Sequence, residues 1–411
     1  MAERHTYGLT VVLGVAISVV ASLVSTAVTG LATSAESETL ASRFVAIDAI
    51  RLLDTRRGGE PVTADGEISI PVVGVGTVPT SGVTAVALTV TTTNAQSPGF
   101  VTAWPTGAPR PNVSNLNVQQ AGDTVSNLVF VPVGNTGAIS LYTSMTADVI
   151  VDLAGWFTAA PHGSRAGRFI PIEAHRASDT RRSSSGQGAA GELVAADAVV
   201  DVPIGTVPGI PQSGITAVLI NVTTTDTSDA GFVRVWPTGD RQPATSNLNA
   251  TRSGDTVAGL AVVPVGVGVS VSVYTQMASH LIVDVLGWFT DDTAPLSTSG
   301  LLVAVDPQRL IDTRTGGSPL PAQTRHGIGV ATAPPGATAV ANLTVTATSG
   351  PLYLTAGALE QGLQSTSNLN ASSRGATRAN VALLPVASGH MYVWSSASTH
   401  LIADLQGWFT P

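Results

Sequence analysis

The feature that most constrains this chain is an internal repeat, in which the same short motifs occur three times in the same order. An R-x-x-D-T-R motif opens each copy, at 51–56, 176–181 and 309–314. The motif S-N-L-N follows at 114–117, 246–249 and 367–370. Each copy closes on D-φ-x-G-W-F-T, where φ is Leu or Val. The period exceeds one solenoid turn or propeller blade, so each copy predicts a whole domain.

The pattern inside each copy predicts strands. Apolar runs rich in Val and Thr alternate with Gly, Pro and Asn turns at intervals typical of antiparallel sandwiches and barrels. We therefore expect an all-β chain of three tandem antiparallel β-sandwich domains, jelly-roll or Ig-like, at 44–158, 169–290 and 302–410. The segments between the copies are polar and rich in turn residues, as linkers are. They predict three separate domains that follow one another like beads.

The first 35 residues differ from the rest. Residues 9–32 carry no charge and are long enough, as a helix, to span a bilayer. The small residues at 31–35 are typical of a signal cleavage site. Two interpretations remain open for 1–35, a cleaved signal peptide and a retained N-terminal membrane anchor. Both predict an extracellular or cell-surface location, with membrane contact only through 9–32.

The composition excludes several functions. The net charge is −8, there is no Lys, and the Arg residues are scattered, which argues against nucleic-acid binding. The lack of Lys also excludes Schiff-base chemistry and a P-loop. There is no Cys, so neither disulfides nor thiolate metal sites can form. The folded state must be stabilised by burial of its core.

The three motifs together resemble a group of uncharacterised secreted actinobacterial β-repeat domains. Their signature is an opening R-x-x-D-T-R, a central S-N-L-N and a closing D-V-x-G-W/Y-F, and here it covers nearly all of the chain past residue 43. Such domains occur alone or attached to cell-wall and extracellular hydrolases. The resemblance implies an accessory or surface role, and it implies no activity.

An aspartate sits in the middle of each closing strand, among apolar residues, at Asp152, Asp284 and Asp404. Three interpretations compete: an aspartate facing water, an aspartate paired with Arg, and a calcium site. Arg is a better partner than Lys because its planar guanidinium binds a carboxylate through two hydrogen bonds. We predict the pairs Arg56–Asp152, Arg181–Asp284 and Arg314–Asp404, which would tie the last strand to the first.

The calcium interpretation would use Asp152, Asp54 and the S-N-L-N amides, since calcium prefers oxygen ligands. No D-x-D-x-D loop supports it, so we expect no metal and no cofactor. We expect Asp54 and its equivalents to hold a turn instead.

Catalytic signatures are missing from the sequence. None of the seven His residues recurs in all three copies, and His280 and His400, which are equivalent, are interpreted as surface residues. There is no G-x-S-x-G elbow and no H-E-x-x-H motif. The sequence therefore predicts a protein that is not an enzyme.

Candidate ligand-binding residues are of two kinds. Trp104 and Trp236, beside Pro at strand ends, could stack on sugar rings if exposed. The S-N-L-N amides satisfy backbone groups in one interpretation and form a polar ligand rim in the other; they are Asn115, Asn117, Asn247, Asn249, Asn368 and Asn370.

These observations favour an exported, non-catalytic surface protein, used for adhesion or as a structural spacer. The alternative is an array of carbohydrate- or cell-wall-binding modules, and the third hypothesis is a secreted hydrolase. The expected partners are a cell-wall polysaccharide or another surface protein.

Overall fold

The computed structural model describes residues 41–182, 191–357 and 366–411, and over these residues the chain is all-β. Two short 3₁₀ helices, Thr180–Arg182 and Ile204–Thr206, accompany the strands. The expected apolar helix at 9–32 lies outside the described residues. Within the described part of the chain, no helix has the length and apolarity needed to cross a membrane.

Among the described residues, each repeat contributes eight strands, in the same order. Repeat 1 contains β1 (Ser42–Asp54), β2 (Gly66–Pro71), β3 (Val83–Thr93), β4 (Gly99–Pro105), β5 (Leu116–Val118), β6 (Val125–Pro132), β7 (Ala138–Thr143) and β8 (Asp148–Ala159). Repeat 2 contains β9 (Phe169–Asp179), β10 (Ala198–Pro203), β11 (Ile215–Thr225), β12 (Gly231–Pro237), β13 (Leu248–Ala250), β14 (Val257–Pro264), β15 (Ser270–Thr275) and β16 (His280–Thr290). Repeat 3 contains β17 (Leu302–Asp312), β18 (Thr324–Gly329), β19 (Thr338–Thr346), β20 (Leu352–Gly357), β21 (Leu369–Ala371), β22 (Arg378–Pro385), β23 (His390–Ser395) and β24 (His400–Phe409).

The strands of each repeat form two antiparallel sheets packed as a β-sandwich. In repeat 1 the inner sheet has the order β1-β8-β3-β6 and the outer sheet the order β2-β7-β4-β5, and the other repeats follow the same pattern. The opening strand pairs with the closing strand, so the two ends of each repeat are adjacent. The inner sheets of repeats 1 and 3 also join edge to edge, where Ser42 pairs with Leu302.

Both faces of the inner sheets are buried. One face packs on the outer sheet of the same repeat and forms that repeat's own core. The other face joins a fourth core, which all three repeats share. Strands buried on both faces read as continuous apolar runs, which is why β3 and β11 are apolar or Thr-rich almost throughout. The expectation of separate beads is therefore wrong, and Thr39–Pro411 is one compact unit.

Phenylalanines form the centre of this shared core. Phe157, Phe289 and Phe409 come from the three closing G-W-F motifs, and Phe44 and Phe169 come from opening strands. The Phe44 and Phe289 rings, from repeats 1 and 2, lie 4.5 Å apart between centroids, and the Phe169 and Phe409 rings, from repeats 2 and 3, lie 4.6 Å apart. The G-W-F motif thus joins the repeats to one another.

The segments between repeats are held in place by backbone hydrogen bonds. The Phe44 amide donates to the Gly167 carbonyl, and the Phe169 amide donates to the Gly300 carbonyl. The two segments also pair with each other, because Ser164 and Ser297 exchange two backbone hydrogen bonds of 2.8 and 3.1 Å. These segments therefore fix the positions of the repeats, which flexible linkers would not do.

The glycine of the closing motif is required by close packing. A Cβ atom at Gly287 would overlap the Phe169 ring and lie 2.6 Å from the Ile170 carbonyl oxygen, and Gly155 faces Phe44 in the same way. Phe169 is fully buried in the shared core and cannot move aside without disturbing it.

We predict that Gly287→Ala lowers the free energy of unfolding by about 1–3 kcal/mol, the usual cost of overpacking a core. Urea unfolding followed by tryptophan fluorescence measures this. Gly350→Ala is the matched control, because no atom lies within 4 Å of a Cβ at that position. Equal stability of the two variants would contradict the packing account.

Candidate functional site

An ion-pair cluster joins the opening and closing strands of each repeat; we call it the clasp. In repeat 1 it contains Arg51, Asp54, Arg56 and Asp152. Arg51 donates from Nε to Asp152 Oδ1 at 2.8 Å and from Nη2 to Asp152 Oδ2 at 3.1 Å. Its third nitrogen, Nη1, donates to Asp54 Oδ2 at 2.9 Å. One guanidinium therefore bridges two carboxylates.

The predicted partners of the strand aspartates are wrong. Arg56 does not reach Asp152; it donates to both oxygens of Asp54, at 2.8 and 2.7 Å. The same holds in the other copies, where Arg181 binds Asp179 and Arg314 binds Asp312. The first arginine of each motif meets the strand aspartate instead, in the pairs Arg176–Asp284 and Arg309–Asp404.

The register of the strands explains this choice. Arg51 lies directly opposite Asp152 in the pairing of β1 with β8, whereas Arg56 comes two residues after β1 has ended. Arg309 and Asp404 are opposite each other in the same way. Asp54 also accepts a 3.3 Å hydrogen bond from the Arg56 amide, which is the turn interaction expected for an aspartate at that position.

The two aspartates of a clasp have different electrostatics. Burial raises the pKa of Asp152, against the opposing effect of the Arg51 hydrogen bonds, and the same causes raise the pKa of Asp284 and Asp404. The Arg56 guanidinium lowers the pKa of Asp54 to about 2, and Arg314 does the same for Asp312.

The clasp does not suit a calcium ion. Asp54 and Asp152 both accept hydrogen bonds from Arg51, so a guanidinium stands where the ion would have to bind. In residues 41–182, 191–357 and 366–411, no group of three or more His, Asp or Glu side chains is arranged to hold a metal ion.

The S-N-L-N asparagines form hydrogen bonds inside the fold. The first asparagine accepts a backbone amide from the neighbouring strand, as Asn115 does from Ala103 at 2.7 Å, Asn247 from Val235 and Asn368 from Ala356. The second accepts the hydroxyl of the motif's serine, in the pairs Ser114–Asn117, Ser246–Asn249 and Ser367–Asn370. These contacts are those of a structural motif.

Trp104 and Trp236 are not exposed stacking surfaces. Their side chains are buried, 3% and 7% exposed. Each indole N–H donates to a carbonyl of the turn that follows, Ala108 and Asp240 respectively. His280, interpreted from the sequence as a surface residue, is also buried, and its Nδ1 lies 3.2 Å from the Thr180 hydroxyl.

The S-N-L-N edge of each repeat packs on the inner sheet of another repeat, in the cyclic order 1 on 3, 3 on 2, and 2 on 1. In the first interface, Asn342 donates to the Ser114 carbonyl and Asp404 accepts the Ser114 amide. In the second, Asn221 donates to the Ser367 carbonyl. A second asparagine completes each network, Asn127 with Asn342 and Asn380 with Asn221.

The third interface, between repeats 2 and 1, lacks both asparagines. Thr89 stands at the position of Asn221 and Asn342, and Gly259 stands at the position of Asn127 and Asn380. Ala154 also replaces the larger Gln406, whose Oε1 accepts the Phe130 amide in the first interface.

A cleft of about 520 Å³ lies where these side chains are small. We call it the polar cleft. Thr89, Ala154 and Asp152 line it from repeat 1, and Trp236, Asp240, Arg241 and Asn247 line it from repeat 2. Of the candidate ligand residues in the sequence, the largely buried Trp236 and Asn247 border this cleft, and Asn249 borders another cleft between the same repeats.

Aromatic pairs on the outer sheets are a feature that the sequence analysis missed. Phe100 packs on Tyr142, Phe232 on Tyr274, and Tyr353 on Trp394, with ring centroids 5.7, 5.9 and 5.4 Å apart. Phe100 and Tyr353 are exposed, at 36% and 45%. Alignment of the repeats would have found them, because positions 100, 232 and 353 are equivalent and all aromatic.

Comparisons with known proteins give no family. No protein-family model matches the chain, and no curated protein does. Solved structures that match include "Life in the extremes: atomic structure of Sulfolobus Turreted Icosahedral Virus", at 10% identity and a TM-score of 0.18 over 89% of both chains. Another is "The Triple Jelly Roll Fold and Turret Assembly in an Archaeal Virus", at 9% identity and a TM-score of 0.17 over 90% of both chains. At such low scores, neither match carries an argument about function.

The clasp geometry predicts unequal effects for its two arginines. Arg51→Gln leaves Asp152 buried without its partner, so the free energy of unfolding should fall by about 3–5 kcal/mol. Arg56→Gln removes a more exposed partner, and Asp54 keeps Arg51, so the loss should be about 1 kcal/mol or less. Chemical denaturation of the two variants measures both values. A larger loss for Arg56→Gln would favour the pairing expected from the sequence.

The low pKa of Asp54 predicts a pH dependence. The value of about 2 in the folded protein lies below the value of about 3.9 in an unfolded chain, so Asp54 stabilises the folded state when it is ionised. This contribution is complete above about pH 5 and is lost as the pH falls towards 2. The stability difference between the wild type and Asp54→Asn should therefore shrink between pH 7 and about pH 2.5. A difference that stays constant over this range would show that the charge of Asp54 is not involved.

Proposed function

We propose that this protein is an exported, non-catalytic adhesion protein of the cell surface or extracellular space. The observation that carries the proposal is the aromatic pair repeated on the three outer sheets. Phe100 and Tyr353 expose ring surface in two of these pairs, and exposed aromatic rings offer a large contact area at low conformational cost, as is usual at recognition surfaces. These two exposed rings offer two contacts with the same partner.

The shared core favours adhesion over a spacer. A spacer gains length from domains that follow one another, whereas this chain packs its three sandwiches around one set of phenylalanines. Fixed positions allow several weak contacts to act together, which raises the overall affinity without any new contact. We interpret each pair of sheets as one jelly-roll or Ig-like domain, preceded by the apolar segment 9–32 as an export signal or anchor.

A carbohydrate- or cell-wall-binding array is the second candidate, and the same surfaces favour it. Sugar rings stack on exposed aromatic faces, and the outer-sheet pairs are better placed for this than Trp104 and Trp236. In repeat 1 the Arg110 guanidinium stacks over the Tyr142 ring, 3.7 Å from its centroid, so Phe100 supplies the exposed aromatic surface of this pair. A cell-wall polysaccharide is therefore the first ligand to test.

The experiment compares binding of the wild type and a Phe100→Ser/Tyr353→Ser double variant to purified cell-wall polysaccharide and to a surface-protein fraction. We expect the double variant to lose at least about tenfold in apparent affinity, because both exposed aromatic contacts are removed. Val267→Ser is the control, since Val267 is 77% exposed and lies outside the aromatic pairs. Unchanged binding by a double variant that folds normally would contradict the proposed role of the pairs.

A further inference from the structure

A second cleft, of about 440 Å³, lies between repeats 1 and 2 and is lined by four arginines. We call it the basic cleft. Arg51 and Arg56 of the repeat 1 clasp line it together with the next residue, Arg57, and Arg234 lines it from β12 of repeat 2. No aspartate or glutamate is among its lining residues. Asp54 and Asp152, behind the cleft, offset the charges of Arg51 and Arg56, so the excess positive charge comes from two arginines, in a chain whose net charge is −8.

The arrangement occurs at one of the three interfaces. Arg234 is replaced by Thr102 in repeat 1 and by Thr355 in repeat 3, and Arg57 is replaced by Thr315 in repeat 3. Therefore only the packing of repeat 2 on repeat 1 brings all four arginines together. A requirement of the fold itself would recur in every repeat, as the clasps do.

Two of the arginines have donors to spare. Arg51 and Arg56 are engaged with Asp54 and Asp152, whereas Arg57 is 73% exposed along its side chain and has only a 3.5 Å contact with Asp54. Arg234 stacks on Phe232 and Tyr274, at 4.6 and 5.5 Å from the ring centroids, and its Nε donates no hydrogen bond within the described residues. Stacking therefore holds the guanidinium while leaving donors for a ligand.

We propose that the basic cleft binds the anionic group of an acidic polysaccharide, a carboxylate, sulfate or phosphate. Guanidinium groups bind all three through paired, charge-assisted hydrogen bonds. The polar cleft is adjacent, because Ala244 and Ser246 line both clefts. Its Asp240, Thr245 and Asn247 side chains can bond sugar hydroxyls while the basic cleft holds the charged group. This site is independent of the outer-sheet pairs at Phe100 and Tyr353.

Titration calorimetry with the full chain tests the proposal. The probes are polygalacturonate, dextran sulfate, neutral dextran and inorganic phosphate. We expect one or both acidic polysaccharides to bind, with an affinity that falls as salt is added, and neutral dextran not to bind. Binding of phosphate as tightly as of either polymer would overturn the polysaccharide part, and absence of binding by every probe would overturn the whole proposal.

Variants locate the site. Arg57→Gln/Arg234→Gln should weaken binding by at least about tenfold. Arg182→Gln is the matched control, because Arg182 is the equivalent of Arg57 in repeat 2, is 77% exposed and contacts Asp179 in the same way; its affinity should stay within about twofold. Equal losses in these two variants would overturn the assignment to this cleft.

A third variant tests the outer sheets. The Phe100→Ser/Tyr353→Ser variant should bind the acidic polysaccharide normally. A loss in that variant, with normal binding by Arg57→Gln/Arg234→Gln, would move the site to the outer sheets.

Discussion

Burial of both faces of the inner sheets is the constraint on which the rest of this structure depends. One face must be apolar to pack on the outer sheet of its own repeat. The other face packs on neighbouring repeats, and the phenylalanines of the closing motifs meet there. The polar groups on that second face that water does not reach are therefore stabilised by partners inside the protein.

The clasps and the asparagine networks supply these hydrogen-bond partners in different ways. Each strand aspartate receives a guanidinium from the opening strand directly opposite, within its own repeat. The asparagines reach across, joining Asn342 to the S-N-L-N edge of repeat 1 and Asn221 to that of repeat 3. Pairing within a repeat closes the sandwich, and pairing between repeats fixes the neighbour and its register.

The three interfaces are not equivalent, and the difference has a chemical consequence. Where repeat 2 meets repeat 1, the residues Thr89, Ala154 and Gly259 stand at positions that hold larger side chains in the other repeats. At the other two interfaces those larger side chains fill space or form hydrogen bonds. Space remains, and arginines from both repeats border part of it. Two of the three interfaces thus keep a hydrogen-bonded asparagine pair, and the third has clefts instead.

The sequence by itself determined the all-β class and the threefold repetition of motifs, because strand propensity, turn residues and motif order are local properties. It also identified the aspartates of the closing strands as unusual, because they lie among apolar residues. Only the tertiary structure decided that Arg51, and not Arg56, meets Asp152, since this depends on strand register. The shared core could not be predicted from the sequence either. A strand that is apolar on both faces must bury both, but its sequence does not indicate whether the second face packs on its own repeat or on another repeat. Contacts between residues more than 100 positions apart make that decision, and they exist only once the chain has folded.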